Sequence, residues 1–289
     1  MLTLPGPIVS AAWLLEHAAH PDLRIVDLRW SLGGPPGRDL YAAGHIPGAI
    51  FLDLDHDISA PRGSGPGRHP IPAPSRLAEV LSERGIGDEH VVVAYDDAGG
   101  TVASRLWWLF EHFGHAGAAA ILDGGISAWT DAGGALTAAA ANHAPATWKA
   151  RAQRTNDVVD AAIVDARRLD PGTLPLDVRA PEGYRGELEP IDPRAGHIPG
   201  AVSAPSVGSL QSDGRLLTPE ALADRFRALG ATDGRRVIAA CGSGVNATHT
   251  ILAMRLAGID AQLYEGSWSD WSSDPSRPAA IGPDPGGAA

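Results

Sequence analysis

The sequence predicts two tandem α/β domains, each built on a parallel sheet flanked by helices. Gly-His-Ile-Pro-Gly-Ala occurs at residues 44–49 and again at 196–201, and Asp-x-Arg occurs at 27–29 and again at 177–179. Motifs that recur in the same order across both halves indicate tandem copies of one domain. Short β-branched stretches also alternate with helical patterns in each half, which is typical of a parallel α/β sheet.

Each copy contains the same succession of elements. In the first we predict strands at 23–28, 91–95 and 118–122 and helices at 10–20, 75–84, 101–113 and 126–131. In the second we predict strands at 174–178, 236–240 and 261–264 and helices at 219–229 and 246–256. Apolar residues at helical spacing and continuous apolar runs for buried strands carry these predictions.

The domain boundaries follow from composition. We expect an N-terminal domain at 1–140, a linker and edge strand at 141–155, a C-terminal domain at 156–274 and a flexible tail at 275–289. The linker is rich in alanine and polar residues, and residues 146–150 are expected to begin the second sheet as its edge strand. The tail is rich in proline and glycine, a composition that disfavours a packed core.

Composition also restricts the class of protein. The chain has 289 residues, is 44% hydrophobic and carries a formal net charge of −11, which disfavours nucleic acid and anionic membranes as partners. No apolar run is long enough to span a membrane, and no secretory signal is visible. A single cysteine excludes an internal disulfide and fits a reducing compartment, so we expect a cytoplasmic protein. No His/Cys spacing suggests a metal site, and we expect no cofactor.

The single cysteine lies where chemistry is expected. The apolar run 237–240 ends at Cys241, a Gly-Ser-Gly loop follows, and a helical pattern begins near Asn246. Backbone N–H groups of such a loop and of the helix start form an anion site that favours the thiolate. Lone cysteines are often inert buried residues, but this strand–loop–helix context favours a nucleophile at the carboxyl end of a strand.

The first copy lacks that nucleophile. Aligning strand 91–95 with strand 236–240 places Asp96 opposite Cys241, and Asp97 follows it. Two acidic side chains would repel an anionic substrate. We therefore expect the first copy to serve as scaffold and lid and the second to carry the chemistry.

With these motifs the chain resembles the tandem-rhodanese sulfurtransferases of the thiosulfate/3-mercaptopyruvate family over nearly its whole length. The resemblance implies two rhodanese-like domains and a Cys241 persulfide that passes sulfur to a thiol, cyanide or a thioredoxin-like protein. A non-catalytic persulfide carrier or sensor is the alternative of another class. A cysteine phosphatase is disfavoured because Ala247 stands where the Cys-x5-Arg motif needs arginine.

The loop also bears on the sulfur donor. Cys-Gly-Ser-Gly-Val, with no basic residue after Cys241, resembles the mercaptopyruvate enzymes, and thiosulfate is the alternative donor. The resemblance implies a Ser–His–Asp relay, for which Ser243, His69 and Asp55 fit best. His56 is the second choice for the histidine.

Arginines that hold the substrate carboxylate are expected between the second Asp-x-Arg and the second Gly-His-Ile-Pro-Gly. Arg185 is our first candidate and Arg194 our second. The family's usual arginine before the aromatic residue is Gly183 here, and Asn246 stands where threonine is more usual. The loop residues expected to bind the donor are Gly242, Gly244, Val245, Asn246 and Ala247.

Overall fold

The chain forms two compact units in the computed structural model, which describes residues 2–151 and 154–286. The first unit takes its described residues from 1–60, 72–154 and 212–216. The second takes them from 61–71, 155–211 and 217–289. Each unit therefore includes a short segment from the other half of the chain, which the contiguous domains expected from composition did not anticipate.

The first unit is a five-stranded parallel sheet flanked by helices, with strand order β1-β5-β4-β2-β3. Its strands are β1 (Ile8–Val9), β2 (Leu23–Asp27), β3 (Ile50–Phe51), β4 (Val91–Tyr95) and β5 (Ala119–Leu122). Its helices are α1 (Ala11–His17), α2 (Gly37–Ala43), α3 (Pro74–Glu83), α4 (Ala103–Phe113) and α5 (Gly125–Asp131).

The second unit repeats this topology, with strand order β6-β10-β9-β7-β8. Its strands are β6 (Val158–Val159), β7 (Thr173–Asp177), β8 (Val202–Ser203), β9 (Arg236–Ala240) and β10 (Ala261–Tyr264). Its helices are α6 (Ala161–Arg167), α7 (Pro181–Arg185), α8 (Pro219–Ala228), α9 (Asn246–Leu256) and α10 (Ser267–Trp271). The predicted class of two tandem parallel α/β domains is confirmed.

The central strand of each sheet is a largely buried apolar run. All five residues of β4 are buried, as are the last four of β9. A strand covered by helices on both faces has no polar side, so its sequence is a continuous apolar run. Such a run positions the residue that follows it, and in the second unit that residue is Cys241.

The Asp-x-Arg repeat is a buried brace. In the second unit the Arg179 guanidinium donates to both Asp177 carboxylate oxygens and, through Nη2, to the Gly196 carbonyl at 2.6 Å. The brace ties the end of β7 to the Gly-His-Ile-Pro-Gly turn. The first unit repeats these bonds with Asp27, Arg29 and Gly44.

Residues 146–150 do not form the edge strand expected for the second sheet. They belong to the first unit, where Trp148 is buried and its backbone N–H donates to Ser82 Oγ at 3.0 Å. The edge of the second sheet is β6 instead. The large aromatic side chain of Trp148 is buried in the first unit, which keeps residues 146–150 with that unit.

The expected flexible tail at 275–289 also needs correction. The Gly200 N–H donates to the Pro285 carbonyl at 2.7 Å, so the chain remains bonded to the second unit to that point. Prolines lack an N–H, but their carbonyls accept hydrogen bonds as other carbonyls do. Residues 287–289 lie outside the described part of the chain.

Candidate active site

Cys241 lies at the carboxyl end of β9 and is 3% exposed. The Gly244 N–H donates to its Sγ at 3.1 Å, and its own N–H donates to Ser267 Oγ at 3.0 Å. Helix α9 begins two residues after Gly244, so the helix start follows the thiol closely. An N–H directed at sulfur can stabilise negative charge that develops there.

The loop conformation requires glycine at position 244. Its φ is +81°, and a Cβ there would lie 2.3 Å from the Glu265 carbonyl oxygen. The loop is further held by the start of α10, because the Trp268 and Ser269 N–H groups donate to the Cys241 and Gly242 carbonyls, each at 2.9 Å. These bonds fix the direction of the Gly244 N–H.

Ser243 and His69 come together in the second unit. His69 Nδ1 lies 2.7 Å from Ser243 Oγ, and both side chains are buried. This pairing exists because the segment 61–71 belongs to the second unit. A hydroxyl beside an imidazole can relay a proton, which is the role expected for both residues.

The two other relay candidates lie in the first unit. Asp55 is exposed, and its Oδ2 accepts a hydrogen bond from Trp30 Nε1 at 2.9 Å. His56 is 83% exposed and bonds to Asp53, which raises the pKa of the imidazole. His69, not His56, is therefore the histidine that contacts Ser243.

Within residues 2–151 and 154–286, the side-chain hydrogen bonds of the two arginines expected to bind substrate go to groups other than the cysteine loop. Arg185 forms a surface ion pair with Glu187, Nε to Oε1 at 2.7 Å. Arg194 donates to four backbone carbonyls between residues 271 and 277. These bonds hold residues 271–277 in place, and the proposed binding of substrate by Arg194 stays a prediction.

Two other arginines lie at the loop, and sequence reasoning did not select them. A Cβ built on Gly242 would lie 3.0 Å from Arg68 Nη2, so this guanidinium borders the loop directly. Arg179 Cζ lies 5.0 Å from the centroid of the Trp268 ring, and the Trp268 backbone N–H donates to the Cys241 carbonyl, which places Arg179 beside the loop. Burial lowers the pKa of Arg179, but its interactions with Asp177 and Glu189 raise it above its ordinary value. Arg68 precedes His69 in the chain, so placing the histidine would have revealed it.

The corresponding loop of the first unit is occupied by its own side chain. Asp96 is fully buried, and its carboxylate accepts four backbone N–H groups at 2.8–2.9 Å, from Ala98, Gly100, Val102 and Ala103. We expected Asp96 to repel an anionic substrate. Its carboxylate also fills the anion site itself, because it is the anion that the loop binds, while the repulsion stays a prediction.

Within residues 2–151 and 154–286, no helix combines the length and the apolar character needed to cross a membrane.

The comparisons with known proteins place both units in one family. The family model for the rhodanese-like domain matches twice, at residues 10–132 and 150–274.

Relatives match over the length of both chains. A probable 3-mercaptopyruvate sulfurtransferase of Pseudomonas aeruginosa is 44% identical over 281 residues, covering 95% of this chain and 98% of that protein. A putative thiosulfate sulfurtransferase, SseB, of Mycobacterium tuberculosis is 39% identical, covering 95% and 97%. The crystal structure of the 3-mercaptopyruvate sulfurtransferase SseA from Escherichia coli superposes with a TM-score of 0.81 at 30% identity, covering 91% and 99%.

Proposed function

Because the chain belongs to the tandem-rhodanese sulfurtransferases of the thiosulfate/3-mercaptopyruvate family, we propose that it moves the sulfur of 3-mercaptopyruvate, through a persulfide on Cys241, to a thiophilic acceptor. It is a sulfurtransferase of two rhodanese-like domains. The observation that carries the persulfide is the Gly244 N–H directed at Sγ of a cysteine at a strand end.

The reaction proceeds in two displacements. The Cys241 thiolate attacks the donor sulfur, an S–S bond forms and the carbon–sulfur bond of 3-mercaptopyruvate breaks. The electron pair of that bond stays on carbon as the enolate of pyruvate, which takes up the proton lost by the thiol. An acceptor thiolate then attacks the outer sulfur of the persulfide and releases Cys241 as a thiolate.

Ser243 and His69 are suited to moving the proton in the first step. Their contact of 2.7 Å lets the imidazole exchange a proton with the hydroxyl, which is two residues after Cys241 in the chain. We assign Asp55 as the third member of this relay on the family resemblance. The N–H groups of residues 242–247 would stabilise the negative charge on the persulfide.

Arg68 is our candidate for the donor carboxylate, since its guanidinium borders the loop at Gly242. A guanidinium binds a carboxylate through two parallel hydrogen bonds. Gly242 and Ser243 supply no further cation beside Cys241, which favours the singly charged 3-mercaptopyruvate over the dianion thiosulfate. Thiosulfate is the alternative donor.

The acceptor and the compartment are further proposals. A small thiol, cyanide or a thioredoxin-like protein can each supply the nucleophile that removes the outer sulfur. The single cysteine supports a reducing compartment, and we propose the cytoplasm.

Intact-mass measurement after exposure to each donor tests this function. We expect 3-mercaptopyruvate to add about 32 Da at Cys241, with release of one pyruvate, and a thiol to remove the added mass. Cys241→Ser should take up no sulfur. Steady-state pyruvate release with a thiol separates an enzyme from a persulfide carrier, which would load once and stop. Faster turnover on thiosulfate than on 3-mercaptopyruvate would contradict the donor assignment.

A further inference from the structure

An acidic segment of the second unit contacts both arginines of the cysteine loop. This segment, residues 187–192, contains Glu187, Glu189 and Asp192 and is here called the acidic strap. Glu189 and Asp192 each pair with one of those arginines, whereas Glu187 pairs with Arg185 on the surface. The strap therefore places two carboxylates where an anionic donor would need cations.

The pair between Asp192 and Arg68 is the more direct of the two. Arg68 Nη1 donates to Asp192 Oδ1, with the two side chains 15% and 6% exposed. The other terminal nitrogen of Arg68, Nη2, is the one that borders Gly242. A single guanidinium thus spans the distance between the strap and the cysteine loop.

The pair between Glu189 and Arg179 holds the strap in place. Glu189 Oε2 lies 3.5 Å from Arg179 Nη1, and both side chains are 11% exposed. The other oxygen, Oε1, accepts the backbone N–H groups of Ile191 and Asp192 at 3.2 and 2.9 Å. Glu189 therefore orients the backbone that carries the Asp192 carboxylate toward Arg68.

We propose that Asp192 is an internal competitor for anionic donors: its carboxylate occupies Arg68 in the resting protein and must yield before a donor carboxylate can bind there. This inference rests on the proposed function for the role of Arg68. A ligand that binds only after a competing contact opens has its apparent affinity reduced by the fraction of open sites. Asp192 thereby sets the affinity for carboxylate donors without touching the reacting sulfur.

The single cysteine allows a binding test that needs no sulfur transfer. Iodoacetamide, which is neutral, alkylates Cys241, and intact mass follows the reaction without interference from another thiol. Pyruvate carries the donor carboxylate but no sulfur, so the pyruvate concentration that halves the alkylation rate measures binding beside the cysteine. The full-length protein is compared with Asp192→Asn and with Glu187→Gln, which removes the same charge from the same strap.

We expect Asp192→Asn to lower the half-protecting pyruvate concentration about five-fold, equivalent to about 1 kcal/mol. The KM for 3-mercaptopyruvate should fall by a similar factor with kcat little changed, because only the approach to Arg68 is altered. Glu187→Gln should stay within about two-fold of the parent protein in both measurements.

Other results would overturn the proposal. The proposal is wrong if the half-protecting pyruvate concentration is unchanged or higher in Asp192→Asn. It is also wrong if Glu187→Gln lowers that concentration equally, or if pyruvate protects none of the proteins. If Asp192→Asn does not fold, Glu189→Gln replaces it in the test. This variant keeps a side-chain oxygen that can accept the Ile191 and Asp192 N–H groups but loses the charge that pairs with Arg179, so the half-protecting pyruvate concentration should also fall. No shift there would also overturn it. Protection by pyruvate without a mass gain from 3-mercaptopyruvate would instead refute the proposed function alone.

Discussion

Replacing Asp96 with alanine should destabilise the first unit by several kcal/mol, although we expect Asp96 to take no part in sulfur transfer. Its carboxylate accepts the N–H groups of Ala98, Gly100, Val102 and Ala103 at 2.8–2.9 Å. A hydrogen bond to a charged group contributes about 1.5–3 kcal/mol, so four give an upper bound of about 12 kcal/mol. Water can reach the exposed side of this loop and recover part of that loss. We therefore expect about 3–5 kcal/mol.

Asp96→Asn is the matched variant. Its amide oxygen still serves one pair of N–H groups, but its NH₂ group faces the other pair, so we expect a smaller loss of about 2 kcal/mol. Urea unfolding of the full chain measures both losses, and amide exchange at residues 98–103 localises them. Alkylation of Cys241 in the folded variants is the control. A loss below about 1 kcal/mol for Asp96→Ala would refute the view that this carboxylate fills an anion site.

Two further predictions concern the substrate cation and the first unit. Arg68→Gln should raise the KM for 3-mercaptopyruvate about ten-fold, whereas Arg185→Gln should change it by less than about two-fold. A larger increase in KM for Arg185→Gln than for Arg68→Gln would indicate that Arg185 binds the donor carboxylate. Burial lowers the pKa of His115, whose Nδ1 lies 3.0 Å from Trp148 Nε1 and accepts its hydrogen. As the pH falls, the His115 imidazole of the unfolded chain takes up a proton before that of the folded chain does. The free energy of unfolding is therefore at its full value above about pH 6.5 and decreases below it by up to about 1.4 kcal/mol per pH unit. Urea titrations at pH 7.5 and 5.5 measure this, and His115→Phe should show a weaker dependence.

The elements predicted to the residue from sequence include the central strands and the helix after the cysteine. The bounds Val91–Tyr95, Arg236–Ala240 and Asn246–Leu256 agree with the structure to the residue. A fully buried strand admits no polar residue, so its ends coincide with the ends of the apolar run. Shorter strands at the sheet edges, such as Ile8–Val9, carry too few residues to produce a pattern.

The long-range features of the site could not be read in this way. Segment 61–71 is rich in glycine and proline and has no periodicity, so nothing in it shows that it belongs to the second unit. The partners of Arg68 and His69, Asp192 and Ser243, are more than a hundred residues away in sequence. Side-chain pairing over such separations depends on the tertiary path of the chain. The family resemblance located His69, but only the structure brought Asp192 to Arg68.

The loop that follows β4 in the first unit and the loop that follows β9 in the second differ at their first residue. Strand β4 leads into Asp96, which accepts four backbone N–H groups, and strand β9 leads into Cys241, which accepts the Gly244 N–H. A carboxylate has two oxygens and accepts four of these groups, so the first loop has no free donors for a substrate among those four. A single sulfur accepts the Gly244 N–H and can leave other loop amides for a second sulfur atom. We therefore attribute the inactivity expected of the first copy to an anion site that is already filled, rather than to repulsion of the substrate alone.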